Sequence, residues 1–275
     1  MTLRVLLLAH PAGHSLSPAM QDAALRACGI DARYLARDVP PKALRAAVAE
    51  LHAADVAGAN VTIPHKQAVM RWLDGLTDVA RAVGAVNTIV PTPRGLVGDN
   101  TDGEGFLRAL AELGVTPAGL PTVVLGAGGA ARAVTLALLQ AGARVTLYNR
   151  TRVRAERLAA ELAGQGAVSV AGGRGLEGRV SSARLLVQAT AAGMEGAAEG
   201  ASPLPEGVLP QEGAVVDLVY RPRETPLLAR ARSAGLTVQN GLPMLIHQGA
   251  LAFERWFGQD APVEVMRRAA EEALG

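Results

Sequence analysis

The stretch that decides the fold is Pro121-Thr122-Val123-Val124-Leu125-Gly126-Ala127-Gly128-Gly129-Ala130-Ala131, with a helical run to Gly142 and then Arg144-Val145-Thr146-Leu147-Tyr148-Asn149-Arg150-Thr151. A short apolar run rich in β-branched residues is the pattern of a buried parallel strand. The glycines follow at once: Gly126 permits a tight turn, Gly128 lets a phosphate approach the backbone, and Ala131 is the small third position where helix meets strand. The helix start then offers unpaired N–H groups and a positive dipole end to a pyrophosphate. Strand, glycine turn, helix and second strand arrive in the order that gives such a turn its meaning, so a dinucleotide site is expected here.

The end of the second strand selects the cofactor. A site for NAD usually has a carboxylate there, holding the ribose 2′-hydroxyl. This chain has Asn149, Arg150 and Thr151, with Arg154 one turn on. Two guanidiniums and a hydroxyl suit a 2′-phosphate, so the expected cofactor is NADP. Thr151 is also expected to cap the following helix.

Composition narrows the classes. The 275 residues are enough for one or two domains, with 49% hydrophobic and 19% charged residues and a net charge of +2. There is no basic run interleaved with aromatics, so nucleic-acid binding has no support. The single Cys28 excludes an intramolecular disulfide and fits a reducing compartment. The apolar residues 3–8 are too short for a signal or a span, so a cytoplasmic protein without membrane attachment is expected, as a monomer or a homodimer. Of the 27 basic residues only Lys42 and Lys66 are lysines, and there are five asparagines: Asn60, Asn87, Asn100, Asn149 and Asn240. In an Arg-rich chain a lysine is notable, because lysine can lose a proton and arginine in effect cannot.

Working outward, residues 4–9 read as a strand and His10-Pro11-Ala12-Gly13-His14 as a loop. Pro11 and Gly13 break the helix that would aim both histidines at one ion, so no metal site is expected. Ser15-Leu16-Ser17-Pro18 follows, with Ser17 the expected N-cap and both hydroxyls placed to face a polyhydroxylated ligand. Helices are expected over 19–28 and 42–53, and strands over 33–37 and 58–62. Pro64 is expected to lead a helix with Thr62 and Lys66 at its mouth, beyond the carboxyl end of a strand, where α/β ligands bind. Residues 85–90 read as a strand, 104–113 as a helix, 163–178 as irregular, and 245–257 and 263–273 as closing helices.

Several stretches together resemble the shikimate dehydrogenase family: His14-Ser15-Leu16-Ser17-Pro18, Asn60-Val61-Thr62-Ile63-Pro64-His65-Lys66, Gly84-Ala85-Val86-Asn87-Thr88, Asp99-Asn100-Thr101-Asp102-Gly103, the glycine turn, Asn149-Arg150-Thr151, Asp217-Leu218-Val219-Tyr220 and Asn240-Gly241-Leu242-Pro243-Met244 through Gln248. The resemblance implies an α/β chain of two domains. The first is an N-terminal substrate domain over 1–101, completed by C-terminal helices over 241–275. The second is an inserted Rossmann-type NADP domain over 102–240. It implies reversible NADPH-dependent reduction of 3-dehydroshikimate to shikimate. Lys66 would be the proton donor and acceptor, paired with Asp102, while Ser15, Ser17, Thr62, Asn87, Tyr220 and Gln248 hold the ring substituents. The implied cofactor residues are Gly126, Ala127, Gly128, Gly129 and Ala130 of the glycine turn, with Asp78, Asn149, Arg150, Thr151, Arg154, Thr190, Leu218 and Gly241. The chain departs from the family with Ala9-His10 in the first loop and Gln188 before Ala189-Thr190, which leaves the shape of both loops open.

Overall fold

The computed structural model describes residues 1–275 except His14 and Ala197, with the backbone alone at Arg174. The expectation for His14 therefore lies outside the described residues. The chain forms two compact units, Met1–Gly105 with Leu245–Gly275, and Phe106–Met244.

The first unit carries β1 (Leu3–Ala9), α1 (Ser17–Ala27), β2 (Ala32–Asp38), α2 (Leu44–Ala49), β3 (Val56–Val61), β4 (Gly75–Leu76), α3 (Asp78–Val83), β5 (Thr88–Thr92) and β6 (Gly95–Asp99). The helix α4 (Asp102–Glu112) starts in this unit and ends in the second. The sheet order is β2-β1-β3-β5-β6-β4. β1 is parallel to β2 and β3, while β5 is antiparallel to both β3 and β6. β1, β3 and β6 therefore point the same way, and their C-terminal ends share one sheet edge with the start of β5. One core of this unit is Leu6, Leu8, Leu44, Val48, Leu51, Val61, Val69, Ile89 and Leu96, drawn from the strands, α2 and the segments around them. Burial at this density is what offsets the chain entropy of ordering the unit.

The second unit carries β7 (Pro121–Leu125), α5 (Gly129–Gln140), β8 (Arg144–Tyr148), α6 (Arg152–Leu162), β9 (Val168–Val170), α7 (Leu176–Ser181), β10 (Leu185–Gln188), β11 (Ala214–Asp217), α8 (Pro226–Ser233) and β12 (Thr237–Gln239). All strands are parallel in the order β12-β11-β10-β7-β8-β9, a doubly wound sheet whose strand order reverses between β7 and β10. Two helices close the chain, α9 (Leu242–Phe257), which begins in the second unit, and α10 (Val263–Leu274) in the first. Among the described residues no helix is long and apolar enough to cross a membrane.

Some local expectations need correction. Pro64 does not lead a helix: residues 63–67 form a turn, and a 3₁₀ segment follows at Ala68–Trp72. The Val86 N–H takes the Lys66 carbonyl, which a continuing helix would need for itself. Neither Ser17 nor Thr151 caps through its side chain. Ser17 is the first helical residue, its N–H bonded to the Ser15 hydroxyl at 3.2 Å, and Thr151 is an N-cap without a side-chain hydrogen bond. The expected helix 42–53 is α2 flanked by two 3₁₀ turns. The strand expected from 85 starts at Thr88, because Gly84 caps α3 in the left-handed region (φ 68°) and Val86 and Asn87 bond to scattered partners rather than along one ladder. α4 starts at Asp102, two residues early, and the region 163–178 contains β9 and the start of α7. β9 is three residues long, too short for a period to show.

Candidate active site

The shared edge of the first unit collects the polar residues. Thr62 and Lys66 lie just beyond β3, Asn87 just before β5, Asp102 just beyond β6, and Ser15 and Ser17 beyond β1. The Lys66 Nζ donates to the Asp102 Oδ2 at 2.5 Å, with side chains 15% and 4% exposed. Asp102 is the first residue of α4, where the helix dipole favours a negative charge. Removing either partner of so buried a pair leaves an uncompensated charge.

Asn87 joins this pair to the rest. Its Oδ1 accepts from the Thr101 N–H at 2.8 Å, which can only donate, so its Nδ2 is turned the other way. That nitrogen reaches Asp102 Oδ1 at 2.8 Å, Thr101 Oγ1 at 2.9 Å and Gln248 Oε1 at 3.1 Å. Gln248 comes in on α9, and its backbone carbonyl accepts from the Thr101 hydroxyl at 2.9 Å. The close approach depends on Gly105, where a Cβ would lie 2.6 Å from the Gln248 nitrogen. The structure thus brings Lys66, Asp102, Asn87 and Gln248 together. Ser15 and Thr62 are half-buried at the same edge, and Ser17 is buried. Thr101 and Thr88 are further hubs of this network that were not among the expected site residues. Both lie inside the family-like stretches 84–88 and 99–103, but nothing in the sequence separates them from their polar or β-branched neighbours.

In the second unit the glycine turn lies where the strand order reverses. Gly126 has φ +123°, and a Cβ there would meet the Ala189 carbonyl at 2.9 Å and Thr190 at 3.3 Å. Only glycine fits both demands. Gly128 is exposed with open space beside it and α5 begins at Gly129, so the first N–H groups of the helix are open to an approaching phosphate. Gly241 abuts Leu218, whose carbonyl would stand 2.0 Å from a Cβ there. Arg150, Thr151 and Arg154 are exposed after β8. Arg152 and Arg157 on the same helix pair with Glu156 and Glu161, whereas Arg150 and Arg154 have no side-chain partner among the described residues. A phosphate would find both guanidiniums uncommitted. The glycine turn, the open helix start and these two arginines fit a dinucleotide phosphorylated on the ribose. Asn149 donates to the Thr151 carbonyl, shaping the turn, and Asp78 is exposed in the first unit at the start of α3. Tyr220 is half-buried in the loop after β11.

The two departures from the family each have a local account. Gln188 is fully buried: its Oε1 accepts from the Thr190 N–H at 2.7 Å and its Nε2 donates to the Thr190 and Ala192 carbonyls, so the longer amide itself shapes the loop. His10 Nδ1 lies 3.0 Å from Asp38 Oδ1, and the His10 N–H bonds to the Ile63 carbonyl, tying the first loop to the turn before Lys66. No group of three or more metal-ligating side chains occurs among the described residues.

Asp217, at the end of β11, is fully buried. Burial pushes its carboxyl from 3.8 up to about 6, opposed by hydrogen bonds from the Thr225 hydroxyl at 2.7 Å and the Val219 N–H at 3.0 Å. Because the folded value lies above the unfolded one, this group favours folding most below pH 3.8 and loses that contribution as pH rises through about 6. Above that range the buried charge costs up to about 3 kcal/mol. Asp217→Asn keeps an acceptor for Val219, and its amide can donate to the Thr225 hydroxyl. It is expected to raise the melting temperature at pH 7.5 and to flatten its fall between pH 4 and 7. Melting curves for the two proteins that stay parallel across this range would show that Asp217 does not carry the effect.

Comparison with known proteins agrees with this layout. Residues 7–89 match the model of the shikimate dehydrogenase substrate binding domain, 112–195 that of shikimate / quinate 5-dehydrogenase, and 241–271 that of the shikimate 5'-dehydrogenase C-terminal domain. A shikimate dehydrogenase (NADP(+)) of Symbiobacterium thermophilum is 52% identical over 98% of this chain and 93% of its own length. The crystal structure of shikimate 5-dehydrogenase from Thermus thermophilus, in complex with NADP(H) and shikimate, superposes with a TM-score of 0.91 at 46% identity, covering 99% of this chain and 100% of that one. Quinate dehydrogenase from Corynebacterium glutamicum in complex with NAD is more distant in sequence, at 33% identity and a TM-score of 0.88, covering 98% of this chain and 99% of that one. On its sequence motifs, its doubly wound second unit and these relatives, the chain belongs to the shikimate dehydrogenase family.

Proposed function

We propose that this chain catalyses the reversible NADP-dependent reduction of 3-dehydroshikimate to shikimate, a step toward the aromatic amino acids, with Lys66 and Asp102 handling the proton. The observation that carries the assignment of roles is the buried Lys66–Asp102 contact at an edge lined with hydroxyl and amide groups. Reduced nicotinamide, when bound, supplies the hydride. As the carbonyl carbon takes up that hydride, its oxygen becomes an alkoxide and needs a proton. The Lys66 ammonium donates it, and Asp102 holds the ammonium in place and balances its charge. In the oxidative direction the Lys66 amine takes the hydroxyl proton back. Ser15, Ser17, Thr62, Asn87, Tyr220 and Gln248 hold the ring carboxylate and hydroxyls. In Gln248 the Nε2 already gives one hydrogen to the Leu245 carbonyl at 2.8 Å, which leaves the second for substrate.

Gly126 to Ala130, with Thr190, cradle the pyrophosphate; Leu218 and Gly241 line the nicotinamide end, and Asp78 is a further cofactor neighbour. Asn149, Arg150, Thr151 and Arg154 read the 2′-phosphate. Most of the substrate residues thus belong to the first unit, with Tyr220 from the second, and most of the cofactor residues to the second, with Asp78 from the first, in a cytoplasmic enzyme. Absorbance at the NADPH band tests the reading: shikimate with NADP should give rapid reduction, and quinate or NAD much slower traces. A faster trace with quinate, or with NAD, would reassign substrate or cofactor.

A further inference from the structure

We propose that Thr88 is a positioning residue for proton transfer: its buried hydroxyl is the second of two donors that fix the Asn87 amide and so keep one Asn87 N–H on Asp102. The inference rests on the assignment of the proton step to Lys66 and Asp102. Thr88 is fully buried and touches neither Lys66 nor Asp102 by any hydrogen bond.

The directions of the hydrogen bonds follow from groups that have only one role. The Asn87 backbone carbonyl can only accept, and Asn60 Nδ2 lies 3.1 Å from it, so the Asn60 Oδ1 faces the Tyr34 hydroxyl, which donates at 2.8 Å. The Asn60 Nδ2 also reaches the Thr88 Oγ1 at 3.4 Å, so the Thr88 hydroxyl donates onward to Asn87 Oδ1 at 2.9 Å. Asn60 and Thr88 are directly opposed across β3 and β5, which is why two polar side chains meet in the middle of the sheet. The donors Tyr34, Asn60, Thr88 and Asn87 therefore run in one direction and end on the Asp102 carboxylate.

The second donor matters because the Asn87 Nδ2 has two hydrogens and three acceptors in reach: Asp102 Oδ1, Thr101 Oγ1 and Gln248 Oε1. The Thr101 hydroxyl also lies 3.3 Å from Asn87 Oδ1, but it gives its hydrogen to the Gln248 carbonyl at 2.9 Å. Without Thr88 the amide would therefore be held by the Thr101 N–H alone and could pivot about that one bond, giving its hydrogens to the other two acceptors. Held also by Thr88, from a different strand, its plane is set. Asp102 then has one oxygen on Asn87 and the other on Lys66, and the ammonium is aimed.

Thr88→Val removes the hydroxyl and keeps the shape; Thr88→Ser keeps the hydroxyl. Steady-state oxidation of shikimate by NADP is measured for both, with Tyr34→Phe and Lys66→Ala alongside. Thr88→Val is expected to lower kcat by up to about tenfold, the scale of one neutral hydrogen bond, with KM for shikimate changed by less than about threefold. Thr88→Ser should recover most of the loss. The proposal is overturned if Thr88→Val keeps kcat within about twofold, if it raises KM alone, or if the serine variant loses as much as the valine. Should Thr88→Val fail to fold, Tyr34→Phe decides, since it removes one hydroxyl from the far end of the same chain: a lowered kcat with KM held supports the proposal, and an unchanged kcat overturns it. If Lys66→Ala itself turns over like wild type, the assignment of the site is wrong; if it does not and the Thr88 variants are unaffected, only the present inference is.

Discussion

Lys66→Ala is expected to lose roughly 10²–10⁴-fold in kcat, with a smaller change in KM for shikimate, because the lysine acts on the oxygen only as charge develops there. The size of the effect follows from what replaces it. The one other lysine, Lys42, is exposed in the 3₁₀ turn before α2 and makes no hydrogen bond or ion pair with Asp102. Water would have to reach an edge where Lys66 is 15% and Asp102 4% exposed. The deletion also leaves Asp102 with Asn87 as its only side-chain partner among the described residues, and a charge no longer balanced. Lys66→Arg separates the two contributions. It keeps a cation beside Asp102 but cannot release a proton at working pH, so it should restore thermal stability and not turnover. Near-wild-type kcat in Lys66→Ala would remove this residue from the mechanism.

What makes Lys66 legible in the sequence is its type and its place: one of two lysines in an arginine-rich chain, just past the end of a strand. The second unit is legible for a similar reason. A β-branched run, a glycine turn and a helix are each short-range signals, and they occur consecutively from Pro121 to Gln140. Signals fail where structure depends on distant partners. The turn at 63–67 is held by Val86 reaching the Lys66 carbonyl, which nothing near Pro64 announces. β9 exists because Val145, Thr146 and Leu147 offer a free edge to Val168, Ser169 and Val170, not because those three residues favour a strand by themselves. Thr88 is hidden differently. A threonine at the head of a strand looks like an ordinary β-branched choice, and only the antiparallel register that sets it opposite Asn60 gives its hydroxyl a purpose. The retained asparagines are a better guide, since Asn60 and Asn87 both prove to be hydrogen-bond junctions.

Arg150→Ala is expected to weaken NADP by about ten- to hundredfold while leaving NAD nearly unchanged, since a charge-assisted contact nets roughly 1.5–3 kcal/mol and the 2′-phosphate is the only group that separates the two cofactors. The argument rests on what Arg150 and Arg154 do without a ligand. Both are exposed, and neither is tied into an ion pair among the described residues, in contrast to Arg152 with Glu156 and Arg157 with Glu161 on the same helix. A guanidinium with no carboxylate partner gives up none on meeting a phosphate, so more of the contact remains as net affinity. Arg152→Ala is the internal control: it removes the same charge a residue or two away, breaks only the exposed pair with Glu156, and should change the NADP-to-NAD ratio little. Removing Arg150 and Arg154 together should bring the two cofactors close to parity. Because the contact is exposed, raising salt should shrink the discrimination of the wild type toward that of the double variant. KM for each cofactor at saturating shikimate reads all of these outcomes, and equal losses for NADP and NAD in Arg150→Ala would mean that Arg150 supports the fold of this loop and does not read the phosphate.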